Sequence, residues 1–388
     1  MRVAARIAEL PPYLFAHIDA LKAEARSKGA DLIELGIGDP DLPTPAHVIA
    51  ALDRAARDPR HHQYPSYVGM EAFRRAAAAF YGRRFGVALD PAREVVALIG
   101  SKEGIAHFPM AVVDPGDLVL VPDPGYPVYE TWTRFVGGEV HKMPLRRGRG
   151  FLPDLSAIPT DVARRAKVMW INYPNNPTAA LATDAFYADV VAFARAHDIL
   201  VASDLAYSEI YFGAPPRSFL ETPGAMDLGI EFHSLSKTYN MTGWRVGWAC
   251  GNATLVGALG KVKTHTDSGC FEAIQLAGVA ALEGPEDVVA ELRATYRARR
   301  DVLCGGLREA GFDVVVPEAA FYTLVACPAG LTSLEFTARL LAEAHVVATP
   351  ATGFGAAGEG FVRLTLCAPA ERLAEAVRRM SRLAIARA

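Results

Sequence analysis

A lysine with unusual neighbours marks the most informative segment of this 388-residue chain. Lys237 follows two serines, Ser234 and Ser236, and Arg245 stands a short distance after it. An amine can form an imine with an aldehyde, while hydroxyl groups and the forked donors of an arginine can hold a phosphate group. The segment therefore indicates a site for a phosphorylated aldehyde.

Most lysines are solvated surface charges, and this is the simplest alternative for Lys237. Its neighbours argue against that alternative, because Leu235 and Trp244 are apolar rather than charged. Gly243 and Gly247 also allow the backbone to pass close to a ligand. We therefore interpret Lys237 as a residue of a binding site.

Three more polar residues follow strand-like runs. Asp204 ends the run "ILVASD", where a carboxylate can keep a pyridine nitrogen protonated and so make the ring an electron sink. The alternative for Asp204 is a helix N-cap. Tyr207 and Asn176 could each hydrogen-bond a phenolic oxygen of such a ring, although either one alone would be an ordinary turn or core-edge residue.

In the order Asn176, Asp204, Tyr207, Lys237 and Arg245, these residues resemble the class I and II aminotransferases, which are pyridoxal 5'-phosphate enzymes of fold type I. The resemblance covers nearly the whole chain, from about residue 30 to residue 370. It implies that Lys237 holds the cofactor and that its freed amine then acts as the general base at the Cα of the amino donor.

The resemblance also implies a seat for the cofactor phosphate. Ser101 and Lys102 follow the strand-like run "EVVALIG" and open a helical stretch, where exposed backbone amides suit an anion. Ser234, Ser236 and Arg245 belong to the same seat. Lys102 is interpreted as only a neighbour of the anion.

Further matches concern the ring, the substrate and a second subunit. Tyr126 matches the aromatic residue that stacks on the cofactor, with a core tyrosine as the alternative. Arg363 matches the arginine that grips the α-carboxylate of the substrate, where Gly38 offers a backbone amide and Asn176 lies nearby. Tyr64 matches a tyrosine that reaches the phosphate of the neighbouring subunit, so the resemblance implies a homodimer with composite active sites.

The stretches "GIGDPDLPTP", "QYPSYVG", "GSKEGIAH" and "DPGYPVY" resemble most the subgroup of LL-diaminopimelate and alanine-type aminotransferases. No arginine stands near His265, which argues against a simple aspartate specialist. Glu103 is a candidate partner for a distal ammonium of the donor, and the alternative is an exposed residue in the first turn of a helix. The segment Thr266–Gly269 is a further candidate, acting from across the subunit interface.

The elements that must position these residues alternate between strand-like and helix-like runs from about residue 90 to residue 280. This pattern predicts an α/β fold with a mainly parallel, doubly wound sheet, in which ligands bind at the carboxyl ends of the strands. We expect residues 46–284 to form this larger cofactor-binding domain. Residues 1–45 then form an amino-terminal arm and part of a smaller α+β domain, which residues 285–388 complete.

Composition excludes several other classes of protein. With 51% hydrophobic residues and a net charge of −3, the chain is typical of a soluble globular protein and gives no sign of nucleic-acid binding. The five cysteines are widely spaced, which favours reduced thiols and no metal site. No run is long and apolar enough for a membrane span or a signal peptide, so we expect a cytoplasmic protein.

Two local features qualify the resemblance. Gly353–Gly358 fits the dinucleotide motif G-x-G-x-x-G, but it leads into the strand-like run "FVRLTL" instead of a helix, so we do not assign it to a nicotinamide cofactor. Ala179 stands where the family commonly has glycine, which predicts an altered turn after Asn176.

The sequence therefore predicts an aminotransferase that moves an amino group from an amino acid, such as LL-diaminopimelate, to a 2-oxo acid such as 2-oxoglutarate. An alanine- or aspartate-type aminotransferase is one alternative. A lyase of the same fold that eliminates a β-substituent is the second, and a cofactor-binding regulator without turnover is the third.

Overall fold

A computed structural model describes residues 4–8, 22–23, 25–27 and 29–383 of the chain. Most of the amino-terminal arm that the sequence predicts lies outside these residues. Within them, no helix is long and apolar enough to cross a membrane. The five cysteines are all free thiols.

The helices, in chain order, are α1 (Ala5–Ala8), α2 (Ala46–Ala56), α3 (Glu71–Phe85), α4 (Ser101–Val112), α5 (Val128–Phe135), α6 (Thr160–Arg165), α7 (Asp184–His197), α8 (Leu235–Thr238), α9 (Ala253–Thr266), α10 (Glu272–Leu282), α11 (Asp287–Glu309), α12 (Ser333–Ala344) and α13 (Ala370–Met380). The strands are β1 (Ile33–Glu34), β2 (Val95–Leu98), β3 (Leu118–Asp123), β4 (Glu139–Pro144), β5 (Ala166–Asn172), β6 (Leu200–Asp204), β7 (Gly229–Ser234), β8 (Gly247–Gly251), β9 (Val314–Val315), β10 (Tyr322–Ala326), β11 (Val346–Val347), β12 (Thr349–Pro350) and β13 (Phe361–Thr365).

Seven strands form the central sheet in the order β2-β8-β7-β6-β5-β3-β4. All neighbouring pairs from β7 through β4 are parallel, whereas β8 runs antiparallel to both of its neighbours. Apart from the edge strand β4, the strands are almost completely buried because helices cover both faces of the sheet. The α/β fold with a mainly parallel, doubly wound sheet is confirmed.

Successive side chains of a strand point to opposite faces of this sheet, and each face packs against its own hydrophobic core. In β2, Val95 and Ala97 pack into a core with α3, whereas Val96 and Leu98 pack into the core beneath α4. This is the two-residue period of a strand that is buried on both sides. Loops at the carboxyl ends of the strands are thereby fixed on a rigid base.

A second, smaller group of elements lies after the central sheet in sequence. The antiparallel strands β12, β13, β10 and β9 form a four-stranded sheet that packs with α11, α12 and α13 around a separate core. The amino-terminal β1 pairs in parallel with β11, with Ile33 opposite Val346. The chain after residue 29 therefore begins in the smaller group, while the exact domain bounds stay a prediction.

The glycine-rich segment Gly353–Gly358 joins the two groups. It forms two short 3-10 turns and leads directly into β13, so the strand, turn and helix of a dinucleotide site do not occur here. Its backbone bonds the end of β3 instead: Gly125 N–H donates to Phe354 O at 2.8 Å, and Ala357 N–H donates to Asp123 Oδ1 at 3.1 Å.

Ala179 carries backbone strain in the loop after β5. Its φ of 59° lies in the left-handed region, and its side chain is only 2% exposed. This region costs an alanine about 1–2 kcal/mol, because Cβ approaches the following carbonyl oxygen. The turn after Asn176 thus keeps a glycine-like conformation despite the alanine.

We expect Ala179→Gly to raise the free energy of unfolding by up to about 1 kcal/mol, since the greater freedom of glycine in the unfolded chain offsets about 0.4–1 kcal/mol of the relieved strain. Urea unfolding measures this change. Ala180→Gly is the matched control, because Ala180 has no positive φ. This variant should lower the free energy of unfolding by about 0.5–1 kcal/mol. An equal decrease in the free energy of unfolding in both variants would contradict backbone strain at residue 179.

Candidate active site

A cavity of about 380 Å³, here called the central cavity, opens between the carboxyl ends of the large sheet and the smaller group of elements. Twelve of the residues singled out in the sequence line it: Gly38, Ser101, Lys102, Tyr126, Asn176, Asp204, Tyr207, Ser234, Ser236, Lys237, Arg245 and Arg363. Tyr64 does not line it. The parallel register explains this grouping, because Asn172 at the end of β5 pairs with Asp204 at the end of β6.

Lys237 lies on the short helix α8, directly after β7. Ser234 caps this helix by accepting a hydrogen bond from Ser236 N–H at 3.1 Å. The amine of Lys237 donates to the carbonyl of Gly38 at 3.0 Å and lies 5.6 Å from the ring centre of Phe321. It forms no ion pair among the described residues, and burial lowers its pKa. A larger share of neutral, nucleophilic amine follows.

Asp204 lies at the bottom of the central cavity and is 5% exposed. Its Oδ2 accepts a hydrogen bond from Tyr129 Oη at 2.7 Å, and its Oδ1 accepts one from Ala206 N–H at 3.2 Å. Burial raises the pKa of Asp204 to about 6, and the bond from Tyr129 opposes that rise. The carboxylate is therefore charged at neutral pH in a dry environment, where it can hold a protonated ring nitrogen.

Arg363 brings the smaller group of elements into the site. From β13 it donates to Asn176 Oδ1 at 2.8 Å and to the carbonyl of Gly36 at 2.6 Å. Its guanidinium lies 4.3 Å from the ring centre of Tyr322 and 4.5 Å from that of Phe354. The two aromatic rings and the two acceptors fix the orientation of the planar guanidinium. This orientation suits a bidentate contact with a carboxylate.

Two tyrosines meet at the wall of the cavity beside Asp204. The hydroxyl groups of Tyr207 and Tyr322 lie 2.9 Å apart, and burial raises the pKa of both. Both therefore remain neutral hydroxyls at physiological pH, available as hydrogen-bond donors. Gly38 is needed here, because a Cβ on it would lie 2.2 Å from Tyr322 Oη.

The start of α4 and Arg245 form a cationic corner of the cavity. Gly100 precedes Ser101 with a φ of 72°, and a Cβ on this glycine would lie 2.3 Å from Arg245 Nη2. Arg245 itself has a φ of 55° and is anchored by a bond from Nη1 to the carbonyl of Thr242 at 2.9 Å. This corner suits a phosphate group. It combines the backbone amides at the start of α4, the guanidinium of Arg245 and the nearby amine of Lys102.

Two residues with predicted roles lie elsewhere. Tyr64 is 87% exposed on the surface. Glu103 does not line the cavity: Oε1 lies 2.7 Å from His107 Nδ1, and Oε2 accepts from Lys263 Nζ at 2.9 Å and from Ile99 N–H at 3.0 Å. The role as a partner for a substrate ammonium is therefore wrong, because the carboxylate is already bonded within the chain. The alternative is right that Glu103 lies in the first turn of α4, and wrong that it is exposed.

The sequence interpretation missed Tyr129, Asn172 and Tyr322. Asn172 donates to the carbonyl of Asp204 at 2.8 Å and accepts from Asn176 N–H at 2.9 Å, so it holds both loops in place. Its position at the end of the apolar run "KVMWIN" could have identified it. Nothing local identifies Tyr129 or Tyr322, because their partners lie 75 and 115 residues away in sequence.

A family model matches nearly the whole chain. Residues 30–380 match the model of the class I and II aminotransferases, and the chain belongs to that family. It is thus an enzyme, an aminotransferase of fold type I.

Among curated proteins, the chain is similar to the LL-diaminopimelate aminotransferase of Syntrophobacter fumaroxidans, with 58% identity over 381 residues, 98% of each chain. Among solved structures, it is similar to substrate-bound BacF from Bacillus subtilis, with a TM-score of 0.96 and 37% identity over 100% of this chain and 98% of that one. It is also similar to a single mutant of Thermus thermophilus aspartate aminotransferase, with a TM-score of 0.93 and 31% identity over 98% and 100% of the two chains.

The burial of Asp204 predicts a particular dependence of stability on pH. Its pKa is 3.8 in its ordinary state and about 6 when folded, so the folded protein loses stability as pH rises through this window. In protein stripped of small molecules, Asp204→Asn removes this loss. Between pH 4 and pH 7, the free energy of unfolding of the variant should rise by about 2.4 kcal/mol relative to that of the wild type, as measured by urea unfolding.

Asp161→Asn is the control, because Asp161 is exposed and does not line the cavity. Its unfolding curves should follow those of the wild type at every pH. Asp204→Asn curves that also stay parallel to the wild type would contradict a raised pKa at Asp204.

Proposed function

We propose that this aminotransferase uses pyridoxal 5'-phosphate and moves an amino group from LL-diaminopimelate to 2-oxoglutarate. The observation that carries the cofactor part is the amine of Lys237, which is partly buried, lines the central cavity together with Asp204 and forms no ion pair among the described residues. An amine kept in this way is poised to attack an aldehyde.

The donors of the cavity fit each part of this cofactor. Lys237 would hold the aldehyde carbon, Asp204 the ring nitrogen, and Tyr207 with Asn176 the phenolic oxygen. The phosphate would lie in the cationic corner, on Ser101, Lys102, Ser234, Ser236 and Arg245, and Tyr126 would stack on the ring. When bound, the cofactor supplies an electron sink for negative charge at the Cα of the donor.

The remaining steps depend on side chains of the protein. Arg363 grips the α-carboxylate of the donor through its fork, with the amide of Gly38 on the same group, and this orients the Cα–H bond. Lys237, once free, takes the proton from Cα as general base. Its lowered pKa favours the neutral amine that this step requires.

The choice of donor is supported by the relatives. The name LL-diaminopimelate aminotransferase is carried by similar proteins at 58%, 57% and 54% identity, each over nearly the whole chain. An alanine- or aspartate-type donor and a β-eliminating reaction are the alternatives. The cytoplasmic location that the sequence predicts stays a prediction.

A donor panel with 2-oxoglutarate as acceptor tests the proposal. We expect kcat/KM for LL-diaminopimelate to exceed that for alanine, aspartate and glutamate by at least about tenfold, because a distal polar end adds contacts worth more than about 1.4 kcal/mol. Activity no higher than with alanine would contradict the donor. Release of pyruvate and ammonia from a β-substituted donor without acceptor would identify a lyase.

We also propose that a second copy of the chain completes the site. Tyr64 is 87% exposed in the single chain, and other large side chains near it in sequence, Tyr67 and Val68, are exposed as well. Exposed apolar groups of this size are typical of an interface. Tyr64 would then reach the phosphate corner of the partner subunit.

Tyr64→Phe should weaken the retention of cofactor, and the loss should increase as the protein is diluted, because dilution separates the subunits. Absorbance of bound cofactor after gel filtration at several protein concentrations measures this. Tyr67→Phe serves as the control for a neighbouring exposed ring. Retention that depends neither on the substitution nor on dilution would indicate a self-contained monomer.

A further inference from the structure

The loop after β1 carries two carboxylates with different surroundings. Asp41 is ion-paired with Arg299, at 2.6 Å and 2.8 Å. Asp39 lines the central cavity, is exposed, and has no hydrogen-bond or ion-pair partner among the residues that the structure describes. Of these two carboxylates, Asp41 forms a structural ion pair, whereas Asp39 is available to a ligand.

The loop itself is held firmly against the site. Arg363 donates to the carbonyl of Gly36 at 2.6 Å, and Lys237 donates to the carbonyl of Gly38 at 3.0 Å. Thr349 Oγ1 also donates to the carbonyl of Gly36, at 2.8 Å. Asp39 is therefore presented at a fixed place, next to the two residues that handle the α-carbon of the substrate.

The charged side chains that line the cavity single out Asp39. The cationic groups of the lining are Lys102, Lys237, Arg245 and Arg363. Its carboxylates are Asp39 and Asp204, and Asp204 is buried at the bottom under Tyr129. Within the described lining, Asp39 is thus the one carboxylate that a second positive charge on a substrate could reach.

We propose that Asp39 receives the distal ammonium group of a diamino acid donor while Arg363 holds its α-carboxylate. The inference rests on the proposed function, and it names the residue that separates a diamino donor from a donor of equal length with one amino group. A charge-assisted hydrogen bond of this kind is stronger than a neutral one. The selectivity of the enzyme for its donor then depends on Asp39.

A second role for Asp39 makes a different prediction. Its charge also opposes the lowering of the Lys237 pKa by burial. If this were its only effect, its removal would change the general base, and every donor would be affected alike. A comparison of two donors with the same variant separates the two roles.

The experiment measures kcat/KM for LL-diaminopimelate and for L-2-aminopimelate, which has the same carbon chain without the distal amine. Wild type, Asp39→Asn, Asp39→Glu and the surface control Asp161→Asn are compared with 2-oxoglutarate as acceptor. We expect Asp39→Asn to lower the ratio of the two kcat/KM values by about tenfold or more. Asp39→Glu should keep most of the ratio, because the charge remains, and Asp161→Asn should keep all of it.

The outcomes are distinguishable. A wild type without preference for LL-diaminopimelate overturns the proposed donor, and the role of Asp39 with it. A wild type with that preference and an Asp39→Asn variant with the same ratio overturns the role of Asp39 alone. A parallel loss with both donors assigns Asp39 to the protonation of Lys237 and also overturns the inference.

Discussion

The site depends on a partly buried lysine amine that has no ion-pair partner among the residues that the structure describes. Burial penalises the charged form of Lys237, and the nearest acceptor is the neutral carbonyl of Gly38. A carboxylate within ion-pair distance would restore the charge and abolish the nucleophile. The arrangement of Asp204, Arg245 and Arg363 around the amine follows from this constraint.

The parallel sheet meets the constraint by separating charges along its edge. Asp204 ends β6, and its carboxylate accepts a hydrogen bond from Tyr129, whereas the amine of Lys237 donates to the carbonyl of Gly38. Arg245 is anchored to the carbonyl of Thr242 at the opposite corner. The result is one cavity with an acid end for a ring nitrogen and a cationic end for a phosphate.

Arg363, for which we propose the binding of the substrate carboxylate, comes from the other group of elements, and this would link binding to the packing of the two groups. Arg363 bonds Asn176, which follows β5 of the large sheet, and Gly36, which follows β1 of the smaller group. The turns around Phe354 form hydrogen bonds to the end of β3, and the ring of Phe354 packs against Arg363. A shift between the two groups would therefore misplace the α-carboxylate before it affected the cofactor corner.

Much of this site could be predicted from the sequence because its residues stand at strand ends. Asp204, Ser234 and Lys237 follow buried runs, and the register of a parallel sheet brings such ends together. Contacts between distant segments could not be predicted, as Tyr129 with Asp204 shows. Glu103 was wrongly interpreted for the same reason: its partner Lys263 lies 160 residues further along the chain.

The most direct test of the account is the site of attachment of the cofactor. Borohydride reduction of the enzyme with pyridoxal 5'-phosphate, followed by peptide mass spectrometry, should place the added mass on Lys237. Lys102 lines the same cavity and provides the internal comparison. Attachment to Lys102, or equal labelling of both lysines, would contradict the claim that the amine of Lys237, which has no ion-pair partner among the described residues, is the group that reacts.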